Sequence, residues 1–233
     1  MGILFSVLVG TGVIAVGGAG VYAGFQFLTN FQPGSTKLQA DLQKMKAELK
    51  TFIDALIPWD DEALELLSIN HINQKAKSGI VTLARGVITS IYGEPMIAWA
   101  YKRYVSPNRN AIIYARSSHF EFIYRIRNEN TDIHWNNEGI GTLKADSLLY
   151  NRQTGRLMAR INKDPNESYF PVIIGDKEAA SFINPGKATR SDSRAFEFLS
   201  DLEEKEEAVL LSLTIFEMIQ SKLPEKKNTV YTL

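Results

Sequence analysis

The first candidates for catalysis or metal binding in this chain are its three histidines, His71, His119 and His134. None of them has the spacing of a metal-binding motif such as HExxH. His119 lies two residues before Glu121, and His134 lies two residues after Asp132, so each pair would share a face if its segment is a strand. Ordinary hydrogen-bonded or exposed histidines are the simpler interpretation. We therefore predict no catalytic residue, no metal site and no cofactor, and we expect the chain not to be an enzyme.

Other catalytic signatures are also missing from the sequence. It contains no GxSxG motif and no Walker loop, and its lack of cysteine removes thiolate zinc sites and cysteine nucleophiles. Acid–base pairs remain conceivable among the glutamates Glu62, Glu65, Glu94 and Glu121. Nothing in their spacing selects any two of them.

Basic residues suggest a second kind of site. Lys102 and Arg103 lie in one strand-like segment, and Arg125 and Arg127 share a face of another. Near a bilayer such residues attract anionic headgroups with roughly 1 kcal/mol each, so these four are possible headgroup-binding residues. A solvated outer face, balanced by acids, is the alternative. The formal net charge is zero, which argues against nucleic acid as a partner.

The elements that would position these residues start with an apolar N-terminal stretch. From Gly2 to Thr36 there is no charged side chain, and Ile3 to Leu28 is almost wholly apolar or small. A helix of that length covers roughly 39 Å, enough for a hydrocarbon core of about 30 Å. A signal peptide would need a basic start and a shorter apolar run. We predict a transmembrane anchor over residues 1–30 in a single-pass membrane protein.

Flanking charge and glycine spacing refine that prediction. Lysines follow the apolar stretch and none precedes it, so the positive-inside rule places the body on the cytoplasmic side. Small residues let membrane helices approach closely, although glycine is common in such helices anyway. The predicted packing face comprises Gly10, Gly17, Gly20 and Gly24.

Residues 31–58 form a Pro-Gly linker and an amphipathic helix. Apolar side chains recur there at alternating spacings of four and three, as in a coiled coil. The predicted oligomer seam comprises Leu38, Leu42, Met45, Leu49, Phe52 and Leu56. Such a seam can pair with a second copy, or it can pack on the protein's own domain.

Residues 59–223 are predicted to form one β-rich domain, followed by a polar tail at 224–233. Short segments rich in Val, Ile, Thr and aromatic residues alternate with turn signals from residue 80 to residue 199. Residues 69–78 are polar and are predicted as a loop. An acid-led apolar helix near the C-terminus is too short to span a bilayer. The predicted fold class is α+β: a transmembrane helix, a coiled-coil-like helix, and an antiparallel β-barrel or sandwich with a buried C-terminal helix.

The strand segments followed by the apolar helix Glu203–Gln220 resemble the scramblase, LURP-one and tubby-like group. The segment Gly141–Ile161 is similar to the strand units of that group. The resemblance covers about residues 79–223 and implies a twelve-stranded barrel around a hydrophobic C-terminal helix. It also implies a membrane-proximal barrel that binds lipid headgroups or partners. This chain departs from the pattern in its N-terminal apolar segment and in lacking a cysteine-rich segment and an acidic calcium loop.

Two functions follow as expectations. The first is a membrane-anchored structural protein that self-associates, as a homo-oligomer or a subunit of a membrane complex, and presents a β-rich interaction module. The second is a scramblase-like or tubby-like protein that binds anionic phospholipid headgroups. Membrane lipid is a predicted partner in both.

Overall fold

The computed structural model describes residues 33–60, 62–79, 81–105, 110–188 and 193–224. The helices are α1 (Ser35–Ile53), α2 (Ala63–Leu66) and α3 (Glu204–Gln220). The strands are β1 (Leu67–Lys77), β2 (Thr82–Ser90), β3 (Pro95–Arg103), β4 (Ala111–Arg116), β5 (Glu121–Arg127), β6 (Asn130–Trp135), β7 (Glu138–Leu143), β8 (Leu148–Tyr150), β9 (Leu157–Ile161), β10 (Tyr169–Ile174), β11 (Lys177–Ile183) and β12 (Phe196–Leu199).

The twelve strands form one antiparallel sheet in which each strand pairs with the next one along the chain. The sheet curls into an almost closed barrel. Ser68 at the start of β1 forms an isolated antiparallel bridge with Arg194, just before β12. The amide of Ala195 also donates to the carbonyl of Leu67, at 2.7 Å. Of the two architectures predicted from the sequence, an antiparallel barrel or a sandwich, the structure therefore confirms the barrel.

Helix α3 lies inside this barrel. Acids in its first turn suit the positive end of the helix dipole, and the amide of Glu203 donates to the Glu206 carboxylate at 3.1 Å. Beyond that turn almost every side chain is buried, and Leu210, Leu213 and Ile219 are fully enclosed. The inward-facing side chains of the strands surround them in one large apolar cluster. A helix that is apolar nearly all round is stable only in such a site.

Helix α1 packs on the outside of the barrel across β2, β3 and β4. The seam residues Leu38, Leu42, Met45 and Leu49 are buried there, and Phe52 and Leu56 are packed against the same cluster. Their partners in the barrel wall are small or flat side chains such as Val87, Ala98 and Ala100. The heptad spacing therefore serves packing on the protein's own domain, which was the alternative left open by the sequence.

Two carboxylates fasten α1 to the barrel. Asp41 in α1 is buried, and its oxygens lie 2.8 Å from Lys102 Nζ and accept a 2.8 Å hydrogen bond from the Tyr104 hydroxyl. In the second contact the helix supplies the cation: Lys46 of α1 lies 3.1 Å from the buried carboxylate of Glu121 in the barrel wall. Burial, followed by the hydrogen bond to Asp41, raises the pKa of Tyr104. Both contacts fix α1 in one place on the barrel wall.

The predicted fold class was wrong in its two N-terminal parts. The coiled-coil-like helix is a barrel-packed helix, because the wall of β2–β4 offers it an apolar strip. Within the described ranges, α1, α2 and α3 are all too short or too polar to cross a membrane. The transmembrane helix and its glycine face, comprising Gly10, Gly17, Gly20 and Gly24, were predicted for residues outside those ranges, and the structure does not support them.

Two local predictions also need correction. Residues 69–78 were predicted as a loop, but all of them except the last belong to β1, whose first half is buried and whose second half is exposed. Pairing with β2 holds this polar second half in the sheet, although it contributes little to the core. The segment 141–150, which the sequence alone predicts as one strand, is divided into β7 and β8. The chain turns at Lys144–Ser147, where the Ser147 amide donates to the Lys144 carbonyl at 3.0 Å.

Candidate functional site

The barrel has two ends, which the chain direction distinguishes. Helix α1 begins beside the end of β3, where Asp41 meets Lys102, and it finishes beside the start of β3, where the Ile57 amide donates to the Pro95 carbonyl. Helix α3 runs the other way inside the barrel, from the β12 end to the turn after β9, where Glu217 meets Lys163 at 2.7 Å. The end at which α1 begins and α3 finishes is called the basic end below, and the opposite end is called the acidic end.

Charge is segregated between the two ends. At the acidic end, carboxylates outnumber cations among the described residues. They include Asp60, Glu62, Glu65, Glu94, Glu138, Asp176, Asp201, Glu203, Glu204, Glu206 and Glu207. At the basic end the balance is reversed. Its cations include Lys37, Lys75, Lys77, Lys102, Arg103, Arg125, Arg127, Lys144, Lys163 and Lys222. The basic end also carries carboxylates, among them Asp41, Glu129, Asp132, Asp164 and Glu217, so each end has an excess of one sign and not a single sign.

A cavity of about 480 Å³ opens at the basic end, between the inner wall of the barrel and the last turns of α3. We call it the mouth cavity. Its apolar wall comes from Ile126, Leu143 and Phe216. The position of Phe216 is fixed by a ring contact with Tyr124, at 5.4 Å between centroids. Its polar wall carries Arg103, Lys144, Lys163, Thr131, Ser147 and Gln220, with Glu129 and Glu217 as the acids. The cavity is therefore amphipathic and cation-lined.

Arg103 is the least exposed cation of the mouth cavity. It pairs across the sheet with Thr82 and Ala111 on the inner face, and its guanidinium donates to the Thr82 hydroxyl at 2.9 Å. Among the ion pairs of the described residues, none involves Arg103 or Lys144. Lys144 lies over the Tyr150 ring instead, 4.5 Å from its centroid. Only Lys163 is neutralised within the cavity, by Glu217.

The structure separates the four predicted headgroup residues. Lys102 and Arg125 lie on the outer face, whereas Arg103 points into the mouth cavity. Lys102 is occupied by Asp41, and burial lowers its pKa while Asp41 opposes that shift. Arg127 pairs with Asp132.

Arg125 lies on the same outer face, and the ion pairs found among the described residues do not include it. Its pKa is lowered by partial burial and then by the like charge of Arg127. For the Asp132 carboxyl, burial alone would raise the pKa, but hydrogen bonds from Arg127 and Thr142 outweigh it, so the net pKa is lowered. This outer group therefore holds a carboxylate that stays ionised among several cations.

The three histidines do not converge. His71 lies inside the barrel, where its Nδ1 accepts a 3.0 Å hydrogen bond from the Trp99 indole. His119 is exposed in the turn between β4 and β5, and His134 lies on the outer face of β6, beside a different cavity. Glu121 is occupied by Lys46 and Arg116. In the described ranges, no group of three or more histidine or carboxylate residues could hold a metal ion.

Sequence reasoning missed several residues of the site. Asp41 was not among the predicted residues, yet it lies three residues after Leu38 and four before Met45, on the buried side of α1. That spacing was a usable signal. Lys144 and Lys163 had none, because each lies in or next to a turn whose position depends on strand pairing.

Fold and site together define a class of protein: an antiparallel barrel filled by its own C-terminal helix, with a cation-lined mouth. The scan against protein-family models found no matching family, and neither the curated proteins nor the solved structures contained a match.

Proposed function

We propose that this chain is a binding module that associates with anionic phospholipid surfaces through the basic end of its barrel. The observation that carries the proposal is the segregation of charge between the two ends. Basic residues close to an anionic bilayer each gain about 1 kcal/mol, whereas an acidic end is repelled. The barrel would therefore approach such a surface in one orientation.

The direction of the chain supports the same orientation. Helix α1 begins at the basic end, so Lys37 in its first turn adds a cation to the surface that would face the lipid. The fastening of α1 by Asp41 and Lys46 would hold that orientation. Self-association through the α1 seam is not part of this proposal, because those side chains are packed on the barrel.

The resemblance to the scramblase, LURP-one and tubby-like group remains an architectural proposal. Twelve antiparallel strands in sequence order and an enclosed apolar helix support it. Headgroup binding is the property of that group that agrees with a basic barrel end, and lipid scrambling is not proposed.

The test is vesicle flotation of the full chain. The protein is mixed with phosphatidylcholine vesicles, with or without phosphatidylserine, and the difference between the two lipid compositions is measured. Taking this difference cancels whatever the apolar N-terminal residues contribute to both. We expect more protein to float with the anionic vesicles, and the difference to shrink as salt rises.

Charge variants localise the effect. Lys75→Gln, Lys77→Gln and Lys222→Gln together remove three exposed cations from the basic end and should lower the anionic preference by about a hundredfold at most. The matched control, Lys50→Gln with Arg156→Gln and Lys205→Gln, removes three exposed cations from the acidic end. Equal losses in both variants, or no preference for anionic vesicles in the unaltered chain, would overturn the proposal.

A further inference from the structure

We infer that a cavity at the acidic end of the barrel binds the guanidinium group of an arginine side chain on a partner protein. This cavity, called the aromatic cavity below, has a volume of about 200 Å³. It lies where the start of α3 meets the end of β6 and the turn between β4 and β5. The inference goes beyond the proposed lipid association, because it concerns the opposite end of the barrel and a partner of a different class.

Three aromatic side chains form walls of the aromatic cavity: Trp59, Phe120 and Trp135. Both tryptophans are only partly buried, so their indole rings keep accessible surface where they line the space. The Trp59 ring stands at 75° to the Phe120 ring, with 4.8 Å between the two centroids. The faces of such rings attract cations, and arginine suits them best because its planar group also stacks on them.

Trp59 is held in position by two hydrogen bonds. Its amide donates to the Ser118 hydroxyl at 2.8 Å, and its indole Nε1 donates to Glu207 Oε1 at 3.1 Å. The second oxygen of the Glu207 carboxylate accepts no hydrogen bond from the described residues. The cavity therefore holds an ordered indole ring beside a carboxylate that has an oxygen left for a donor.

The charge of the aromatic cavity is negative. Its acids are Asp60, Glu204 and Glu207, and the ion pairs found among the described residues include none of them. The described lining contains no lysine or arginine, and its histidine, His119, is exposed. The start of α3 contributes only about half a positive charge, which is less than the three carboxylates carry. The site is therefore complementary to a cation.

The shape and donor requirements of the site select a guanidinium among cations. A metal ion does not suit it, because no three histidine or carboxylate residues of the described ranges are grouped closely enough to hold one. Glu204 and Glu207 are three residues apart and so share a face of α3. A quaternary ammonium group has no N–H to donate to them. A guanidinium has five donors in one plane, and it can contact an indole face and both carboxylates together.

The guanidinium should belong to a protein rather than to free arginine. A free amino acid carries its own carboxylate, which would be repelled by the three acids of a lining without lysine or arginine. The volume of about 200 Å³ is also below the range of about 300–1,000 Å³ that is usual for small-molecule sites. If the basic end faces lipid, the aromatic cavity faces away from it, so the lipid and the protein partner do not compete.

The experiment is isothermal titration of the full chain in a neutral detergent. Four probes are compared: capped tripeptides with a central arginine, lysine or citrulline, and free arginine. Citrulline has nearly the shape of arginine but no charge. We expect saturable one-to-one binding of the arginine peptide and an affinity at least about tenfold lower for the citrulline peptide. The lysine peptide and free arginine should both bind more weakly than the arginine peptide.

Variants connect this binding to the aromatic cavity. Glu207→Gln keeps an acceptor for the Trp59 indole but loses the charge, so the Kd for the arginine peptide should rise about tenfold or more. Trp135→Ala removes one aromatic wall and should also raise the Kd. The matched control is Glu65→Gln, which removes an exposed acid of the same barrel end and should leave the Kd unchanged. Far-ultraviolet circular dichroism checks that each variant keeps its fold.

Several results would overturn the inference. No binding of the arginine peptide, or equal binding of the arginine and citrulline peptides, would refute a cation site. Equal affinities for arginine and lysine peptides would refute the choice of a guanidinium. Free arginine that binds as tightly as the arginine peptide would reassign the site to a small molecule. An equal loss of affinity in Glu207→Gln and Glu65→Gln would show attraction by surface charge and no defined site.

Discussion

Replacing Asp41 by asparagine tests whether one buried carboxylate holds α1 on the barrel. Its side chain is 6% exposed and that of Lys102 is 14% exposed, so both charges are largely removed from water. At 2.8 Å and an effective dielectric constant of about 20, their attraction amounts to roughly 6 kcal/mol before desolvation is subtracted. Removing one partner of such a pair costs about 3–5 kcal/mol, because the remaining charge stays buried.

Two neighbours place the expected value at the lower end of that range. Lys37 contacts Asp41 at 3.5 Å but is 32% exposed, so its share is small. Tyr104 keeps an acceptor, since the asparagine carbonyl can replace the carboxylate oxygen. We therefore expect Asp41→Asn to lower the free energy of unfolding by about 3 kcal/mol.

The assay is urea unfolding of the full chain, followed by tryptophan fluorescence and far-ultraviolet circular dichroism. Asp41→Asn combined with Lys102→Met should regain most of the loss, because no buried charge is left alone. Lys44→Gln is the control, since its contact with Glu48 is long, at 3.9 Å, and exposed. The reasoning fails if Asp41→Asn costs less than about 1 kcal/mol, or if the double variant is no more stable than the single one.

Two further predictions concern the barrel itself. A Cβ at Gly141 would lie 2.4 Å from the Tyr150 carbonyl oxygen, so Gly141→Ala should displace β8 and lower the free energy of unfolding by about 3 kcal/mol or more. At Gly139 the nearest atom to a Cβ is 4.0 Å away, so Gly139→Ala should lower it by under about 1 kcal/mol. Equal falls of the two urea midpoints would contradict this prediction. Burial, and then Lys222, lowers the pKa of His71 to about 3, so below pH 6.5 the unfolded chain binds a proton that the folded chain does not. Stability should be full above that pH and fall toward pH 3, by about 2 kcal/mol between pH 6.5 and 5, and His71→Gln should remove this slope in urea titrations at pH 7 and 5.

The sequence predicted an antiparallel barrel or sandwich because strand patterns and turn signals are local, and it left the choice between the two open. The sequence grouped Lys102 and Arg103 in one possible site, although neighbouring residues of a strand face opposite sides of a sheet. It did not reveal which face was the interior. The sequence could not show what the seam residues of α1 pack against. Their partner is the apolar strip on β2–β4, which forms only when three strands lie side by side. The mouth cavity was harder still to predict, because Arg103 is the last residue of β3 whereas Lys144 and Lys163 follow β7 and β9. These positions come together only through the pairing of the sheet.

The order of elements in this barrel has a consequence for biosynthesis. Every wall strand precedes α3 in the chain, and the wall is joined between residues 67–69 and 193–195. The ribosome therefore synthesises the barrel strands before α3. The nascent sheet exposes its apolar inner face until α3 emerges. A chain truncated before residue 204 would keep this apolar inner face but lack α3, and we expect it to aggregate instead of folding.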